Sequence, residues 1–231
     1  MAVDTVLRPR LSRLITAPGV YVPQYDSGLL ARALAAEDVT AATDVLDLGT
    51  GNGCLALCAA RRGARVTAVD ISRRAVLVTR VNAALAGLRL TVCRGDLTDA
   101  VPGRTYDLVV SNPPYVPSPA GPPQRGAARA WEAGPDGRAV VDRICDAAPR
   151  VLRPGGVLLM VHSALTGPDA TLARLAASGL DTTVVRRARV PFGPVLRSRR
   201  GWLGEQGLVN PDVHQPPDEQ EELVVFRARL R

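Results

Sequence analysis

The chain reads as an α/β domain on a parallel, doubly wound sheet, and three observations predict it. From about residue 43, strand-like and helix-like segments alternate, as they do when helices cover both faces of a parallel sheet. A glycine-rich turn, Gly49-Thr-Gly-Asn-Gly53, follows the first strand and opens a helix-like run. Acidic residues, Asp47, Asp70 and Asp96, stand at or next to the ends of three successive strands, the edge on which such sheets bind ligands. A chain of 231 residues accommodates one such domain with an arm and a sizeable core.

Residues 1–42 read as an N-terminal extension covering the candidate site. It holds a short helix near 9–15, an extended piece around 20–24 and a helix over 27–36. The domain proper spans 43–231. Its first strand is 44–48, followed by a helix over 53–62 and a strand at 65–69. A helix over 72–86 follows, with Ser72 as N-cap, Gly87 as terminator and an approximate apolar stripe from Val76, Val81 and Leu85 with Ala83 and Ala84. Strands at 88–93 and 106–110 precede a long connection over 112–136, crowded with Pro, Gly and Ala. A structureless run of that length is functional or disordered. A helix over 137–151, a strand at 157–161, a helix over 169–177 and a strand at 182–189 come next. The last strand, 222–229, appears only after an arm over 190–221, with Pro191-Phe-Gly-Pro, Arg197-Ser-Arg-Arg-Gly-Trp202 and an acidic, Pro-rich end.

Composition narrows the classes of function. The net charge is +7, from 29 basic and 22 acidic residues, and every basic residue is Arg. With Ala, Gly and Val abundant, that reads as a coding bias as readily as a sign of a polyanionic partner. The four cysteines lack any CxxC pairing; Cys54 and Cys58 share a helix face without further ligands at useful spacing, so buried thiols are expected rather than a metal site. No apolar run reaches the ~18 residues of a membrane span. Residues 1–10 hold no basic start followed by an apolar block, so the expected location is the cytoplasm.

In Asp47-Leu-Gly-Thr-Gly-Asn-Gly53 the glycines alternate, which lets the backbone turn tightly with no Cβ between chain and ligand. The following helix offers free N–H groups to an anionic group. The pattern is not the GxGxxG dinucleotide fingerprint. Asp70 closes the second strand, where a carboxylate can accept both hydroxyls of a ribose. Asp96, in Arg94-Gly-Asp-Leu97, closes the third, where a carboxylate can accept the exocyclic amine of an adenine; Asp47 can meet an ammonium. Each alone reads equally as a loop residue or helix cap. Together they favour a nucleoside with a cationic amino-acid tail and no pyrophosphate.

Asp47 to Gly53, Asp70, Asp96 and Asn112-Pro-Pro-Tyr115 together resemble the motif set of class I S-adenosylmethionine-dependent methyltransferases, over most of residues 20–185. Within that class the chain is similar to the short HemK-related protein glutamine methyltransferases. Val20-Tyr-Val-Pro-Gln-Tyr-Asp-Ser-Gly-Leu-Leu30 and Ala130-Trp-Glu-Ala-Gly-Pro-Asp-Gly-Arg-Ala-Val-Val-Asp-Arg143 carry that closer match. The resemblance implies a Rossmann-like seven-stranded sheet, mostly parallel with an antiparallel last strand, and S-adenosylmethionine as cofactor. It implies that Tyr21, Asp26 and Ser27 line the methionine end of the cofactor. Gly49, Thr50, Gly51, Gly53, Ile71, Leu97 and Asn112 complete the expected cofactor set with the three carboxylates. Trp131 to Gly137 is implied to fold over the reacting side. The implied substrate is a protein glutamine amide on the GGQ loop of a translation release factor, and eukaryotic and archaeal members are implied to need a small zinc-binding activator subunit. The chain departs from the pattern at Tyr25, where the family has Glu, in the length of the 190–221 arm, and in lacking the helical N-terminal domain of longer bacterial members.

An amide nitrogen is a poor nucleophile because its lone pair is delocalised into the carbonyl. Asn112 can accept one N–H through its side-chain oxygen and the Pro113 carbonyl can accept the other, with the prolines fixing both acceptors in advance. Pro114, Tyr115, whose ring offers a planar group a face, and Trp131 complete the expected substrate side. No strong base is required if the proton leaves after transfer, and His162 reads as packed rather than catalytic. Asn112 to Tyr115 serve equally for an adenine N6 amine of RNA or DNA, and a small-molecule nitrogen or a non-catalytic cofactor-binding subunit stays open. Few aromatic residues weigh against base stacking. Arg197, Arg199 and Arg200, beside Trp202, read either as contacts to RNA or an acidic partner or as a solvated arm.

Overall fold

Short runs rich in Val and Leu alternate with Ala- and Leu-rich runs, and the fold follows that alternation. The computed structural model describes residues 14–121, 123, 126–210 and 219–231. The helix expected over 9–15 lies almost wholly outside the described residues. In chain order the elements are α1 (Tyr25–Ala36), β1 (Asp44–Leu48), α2 (Cys54–Ala60), β2 (Arg65–Asp70), α3 (Arg73–Leu85), β3 (Thr91–Arg94) and β4 (Tyr106–Ser111). Then come α4 (Val141–Val151), β5 (Leu152–Ser163), α5 (Pro168–Ala177), β6 (Leu180–Pro191), α6 (Pro194–Ser198), α7 (Arg200–Glu205) and β7 (Gln220–Leu230).

The strands form one seven-stranded sheet in the order β3-β2-β1-β4-β5-β7-β6. β1 to β5 pair in parallel, and β7 runs antiparallel to both β5 and β6. This is the Rossmann-like, mostly parallel sheet with an antiparallel last strand that the motifs imply. Strand order reverses between β1 and β4, so the turns leaving these two strands lie side by side, the usual place for a ligand crevice. Register is tight there: Leu48 stands opposite Val69 on one side and Ser111 on the other, and the Ser111 hydroxyl donates to the Leu48 carbonyl at 2.8 Å. Val45, Leu46, Val109, Val110, Leu158 to Val161 and Val224 to Phe226 are all fully buried, as strands covered on both faces require. α1 packs against β5, β6 and β7 and buries Asp26 to Ala31, Ala33 and Leu34, so this part of the N-terminal segment belongs to the helical layer.

Several boundaries move. Ser72 caps α3 as expected, its hydroxyl accepting from Ala75 N–H, and Gly87 takes a left-handed φ of 66°. The apolar stripe is different, however: Val76 and Ala83 are buried, but Val81, Ala84 and Leu85 face solvent. The buried face of α3 carries Thr79 and Asn82 among its apolar residues, because these polar side chains grip the glycine turn. Hydrophobicity alone therefore pointed to the wrong side. β3 begins at Thr91, not residue 88, and the helix expected from 137 begins at Val141, after turns at Gly134 and Gly137.

The 112–136 connection is not structureless. Val116 pairs with Glu132, with Val116 N–H donating to the Trp131 carbonyl at 2.8 Å and Ala133 N–H to the Val116 carbonyl at 3.1 Å, and a short 3-10 turn spans Ala127–Ala130. Gly137 closes this loop at φ 71°, where a Cβ would stand 2.3 Å from the Tyr115 carbonyl oxygen. The arm is an extension of the sheet: the β6–β7 ladder runs out to Val190 opposite Glu221 and Pro191 opposite Gln220. Beyond it, Phe192, Leu196 and Leu203 form their own apolar cluster with Trp202 and Val116. No helix among the described residues is long and apolar enough to cross a membrane.

Candidate active site

Two neighbouring cavities open at the C-terminal ends of the strands. The larger, of about 740 Å³, lies over the ends of β1, β2, β3 and β4, roofed by residues 18–21 and 126–132. The smaller, about 250 Å³, lies between the start of α1, Tyr115 and the base of the arm. Val20 and Tyr21 line both.

Of the residues singled out in the sequence, Tyr21, Ser27, Gly49, Thr50, Gly51, Asp70, Ile71, Asp96, Leu97, Asn112 and Pro114 line the larger cavity. Asp26, Tyr115 and Trp131 line the smaller one, with Glu221. Asp47, Gly53 and Pro113 line neither and support from beneath. Gly49, Gly51 and Gly53 all have positive φ, and at Gly49 and Gly51 a Cβ would meet nothing within 4 Å except the open cavity. At Gly53 it would stand 3.0 Å from the Thr79 methyl.

The turn is braced from three sides. Asp47 is buried and accepts at one oxygen from the Thr50 hydroxyl, 2.7 Å, and Ala56 N–H, 3.0 Å; its other oxygen is buried without a partner among the described residues. Burial pushes this carboxyl up to about 7. Asp70 accepts from Gly51 N–H at 2.9 Å and Ser72 N–H at 2.8 Å. Burial raises its carboxyl too, against those N–H groups and the Arg129 charge. From α3, the Thr79 hydroxyl donates to the Gly51 carbonyl at 3.0 Å, and the Asn82 amide donates to the carbonyls of Asn52 and Ile15 at 2.9 Å each. Thr79 and Asn82 were missed in the sequence; polar residues on the inner face of an amphipathic helix were the signal. Asp96 pairs with Arg143 of α4 at 2.9 Å, and the following Leu97 has φ 47°, the one non-glycine residue in the left-handed region among the described residues.

A hydrogen-bond network joins the cavities. Asp26 is buried, and both phenols donate to one of its oxygens, Tyr21 at 2.7 Å and Tyr115 at 3.1 Å. Its other oxygen accepts from Ser27 N–H at 2.6 Å and from the Ser27 hydroxyl at 3.3 Å. Ser27 Oγ in turn accepts from Asn112 Nδ2 at 3.1 Å. Burial first, and then the Asp26 charge, hold both tyrosines protonated. Glu221 sits nearby with its carboxyl pushed up to about 7 by burial and one oxygen without a partner among the described residues.

His162 lines neither cavity. It is buried, stacks on Phe226 at 4.5 Å and bonds Thr171 Oγ1 and the Ser163 carbonyl, and burial lowers it to about 4. The arginines of the arm are spent within the chain. Arg199 pairs with Glu132 and donates to the Pro117 carbonyl at 2.9 Å, and Arg200 and Arg197 pair with Glu219 at 3.3 and 3.9 Å. Arg199 ties the arm to the 112–136 loop, whereas Arg197 and Arg200 pair within the arm, and the Arg197 side chain is 55% exposed. Among the described residues no cluster of His, Cys, Asp and Glu is arranged to hold a metal, and Cys54 and Cys145 are buried thiols.

A model of the methyltransferase small domain matches residues 12–124. A putative protein N5-glutamine methyltransferase of Methanocaldococcus jannaschii is 34% identical over 177 residues, covering 76% of this chain and 88% of that protein. A release factor glutamine methyltransferase of Bordetella pertussis is 38% identical over 179 residues, covering 74% of this chain and 66% of that one. Among solved structures, a chain of the E. cuniculi Mtq2–Trm112 complex, responsible for methylation of the eRF1 termination factor, matches with a TM-score of 0.65 at 25% identity. That match covers 92% of this chain and 99% of the other. Sheet order and crevice thus define a class I S-adenosylmethionine-dependent methyltransferase. Within that class, the chain belongs to the HemK-related protein glutamine methyltransferase family.

The residues present fit S-adenosylmethionine. The larger cavity has the volume of a nucleotide-sized site, glycines bare of Cβ on its floor, and carboxylates at Asp70 and Asp96 on its wall.

Proposed function

We propose that the chain methylates the side-chain amide nitrogen of a glutamine in a protein, with the GGQ loop of a translation release factor as substrate, in the cytoplasm. The observation that carries this is Asn112. It stands at the end of β4 on the wall of the larger cavity, its NH₂ already engaged by Ser27. Its carbonyl oxygen is thereby left to accept an N–H.

In this reading Gly49, Gly51, Asp70, Ile71, Asp96 and Leu97 hold the cofactor, which supplies an electrophilic methyl group on a sulfonium. Asn112 Oδ1 accepts one N–H of the glutamine amide; the Pro113 carbonyl, expected to accept the other, belongs to a buried residue that lines neither cavity. Acceptance orients the amide nitrogen and stabilises positive charge as it develops there. The carboxylates on the cavity wall are already committed, Asp70 to backbone N–H groups, Asp96 to Arg143 and Glu132 to Arg199. The proton therefore leaves to solvent after transfer. Trp131 and Tyr115, around the smaller cavity, flank the approach of the peptide.

Release factor incubated with this chain and labelled cofactor should gain one methyl on the GGQ peptide, read by mass spectrometry. Enzyme that binds cofactor yet leaves the peptide unmodified would sink the reading, and label on nucleic acid would replace it with a base amine. Asn112→Ala should abolish transfer while leaving cofactor affinity within about threefold. The E. cuniculi relative is a two-chain complex. The assay therefore runs on the purified chain alone, and turnover there shows that no activator subunit is needed.

A further inference from the structure

An asparagine amide has two arms of nearly equal shape and opposite chemistry, an acceptor oxygen and a donor NH₂. Only one orientation suits a substrate that brings N–H groups. We infer that Ser27, itself fixed by Asp26, is the positioning residue that selects this orientation at Asn112, and that Tyr21 and Tyr115 act on the reaction through the same carboxylate. The inference rests on the reading that Asn112 receives the glutamine amide, and it assigns Asp26 and Ser27 a duty separate from cofactor contact.

The network leaves little freedom. Asp26 is 3% exposed and, as a carboxylate, only accepts. Four donors converge on it: Tyr21 OH and Tyr115 OH on one oxygen, Ser27 N–H and Ser27 OH on the other. The Ser27 proton is therefore directed at Asp26, and its oxygen has only lone pairs to offer on the remaining side. Asn112 approaches that oxygen at 3.1 Å. Only Nδ2 can face it, because Oδ1 would set lone pair against lone pair at hydrogen-bond distance. Oδ1 is thus turned away from Ser27 in a residue that lines the larger cavity. β4 fixes the backbone of Asn112 through Ser111, and Pro113 stiffens the next residue, so rotation of the amide about its last torsion is the freedom Ser27 removes.

The geometry also explains why Tyr115 is not on the wall of the larger cavity. Its hydroxyl is buried with that of Tyr21 on Asp26, so it fixes the carboxylate that fixes the serine. Asp26 lines the smaller cavity, not the larger one, which separates it from the expected cofactor contacts.

The test compares Ser27→Ala and Ser27→Thr with wild type in steady-state methylation of the protein substrate. Cofactor Kd is measured by calorimetry, and the Asn112 side-chain NH₂ signals, assigned with Asn112→Ala, are recorded by NMR on the cofactor-free protein. Ser27→Ala should lower kcat about tenfold or more with KM and cofactor Kd within about twofold, and Ser27→Thr, which keeps the hydroxyl, should recover most of it. In Ser27→Ala the two NH₂ signals should move to the positions of a freely turning amide while the backbone spectrum stays in place. A Ser27→Ala enzyme with wild-type kcat and unmoved NH₂ signals overturns the inference. So does one whose only change is a weaker cofactor Kd. If Asn112→Ala itself stays active, the fault lies in the functional reading; if it is dead while Ser27→Ala is normal, only the orientation inference falls.

Discussion

Single residues at this site act mainly by holding others still. Gly137 has no Cβ because one would sit 2.3 Å from the Tyr115 carbonyl, and its φ of 71° is one that side chains resist. Gly137→Ala should cost about 2 kcal/mol or more in chemical denaturation and lower kcat, since Tyr115 must move. Asp47 and Glu221 make a pH prediction. Burial pushes both carboxyls up to about 7, from ordinary values of 3.8 and 4.5. A carboxyl whose folded value exceeds its unfolded one favours the fold while protonated; that contribution is whole below about pH 4 and is lost as pH rises through about 7. His162, lowered to about 4, acts oppositely over part of the window, and Asp44, held down to about 2 chiefly by Arg65, acts only at lower pH. The comparison is therefore between variants: Glu221→Gln should be more stable relative to wild type at pH 7.5 than at pH 5 in thermal melts. An unchanged difference would mean that Glu221 titrates normally. Asn112, Asp70 and Asp96 were legible in the sequence because they follow strands directly. The link from Tyr115 through Asp26 to Ser27 was not, since it joins positions some ninety residues apart through packing that no local pattern records.

At the scale of elements, β1, β2 and β4 were readable almost to the residue, because buried apolar runs announce themselves, whereas β3 starts three residues later than expected and β5 five residues earlier. α3 misled, since its inner face spends Thr79 and Asn82 on the glycine turn and leaves Leu77, Val81 and Leu85 to solvent. The 112–136 loop misled in the other direction: its order comes from Val116 pairing with Glu132 and from the arm lying against it, neither visible as a periodicity. Arg199 is the main tie between arm and loop, bonding both Glu132 and the Pro117 carbonyl. Arg199→Ala leaves Glu132 on the cavity wall without its partner. Its expected effect is a rise of about tenfold in KM for the protein substrate, with cofactor Kd within about twofold and faster hydrogen exchange in α6 and α7. Equal loss of cofactor binding would show that the tie serves the nucleoside site instead.

For the whole molecule, the reversal of strand order between β1 and β4 puts the glycine turn and Asn112 against each other, and the proposed cofactor and substrate contacts meet at that seam. Alternation of segments and the acidic strand ends made this arrangement legible in advance. That the last strand is antiparallel came only through resemblance, and its place between β5 and β6 was not foreseen, because antiparallel insertion leaves no mark on the strand's own sequence. The arm leaves and rejoins the sheet at one paired position, Pro191 opposite Gln220. Replacing the residues between them with a tight turn should leave a folded protein that still binds cofactor, shown by calorimetry, but no longer methylates the protein substrate. A hairpin closed at its base tolerates insertions of almost any length, since closure entropy grows only slowly with loop size. The arm is therefore a place where length and sequence can change at little cost to the sheet, provided that its contact with the loop through Arg199 and Glu132 is kept.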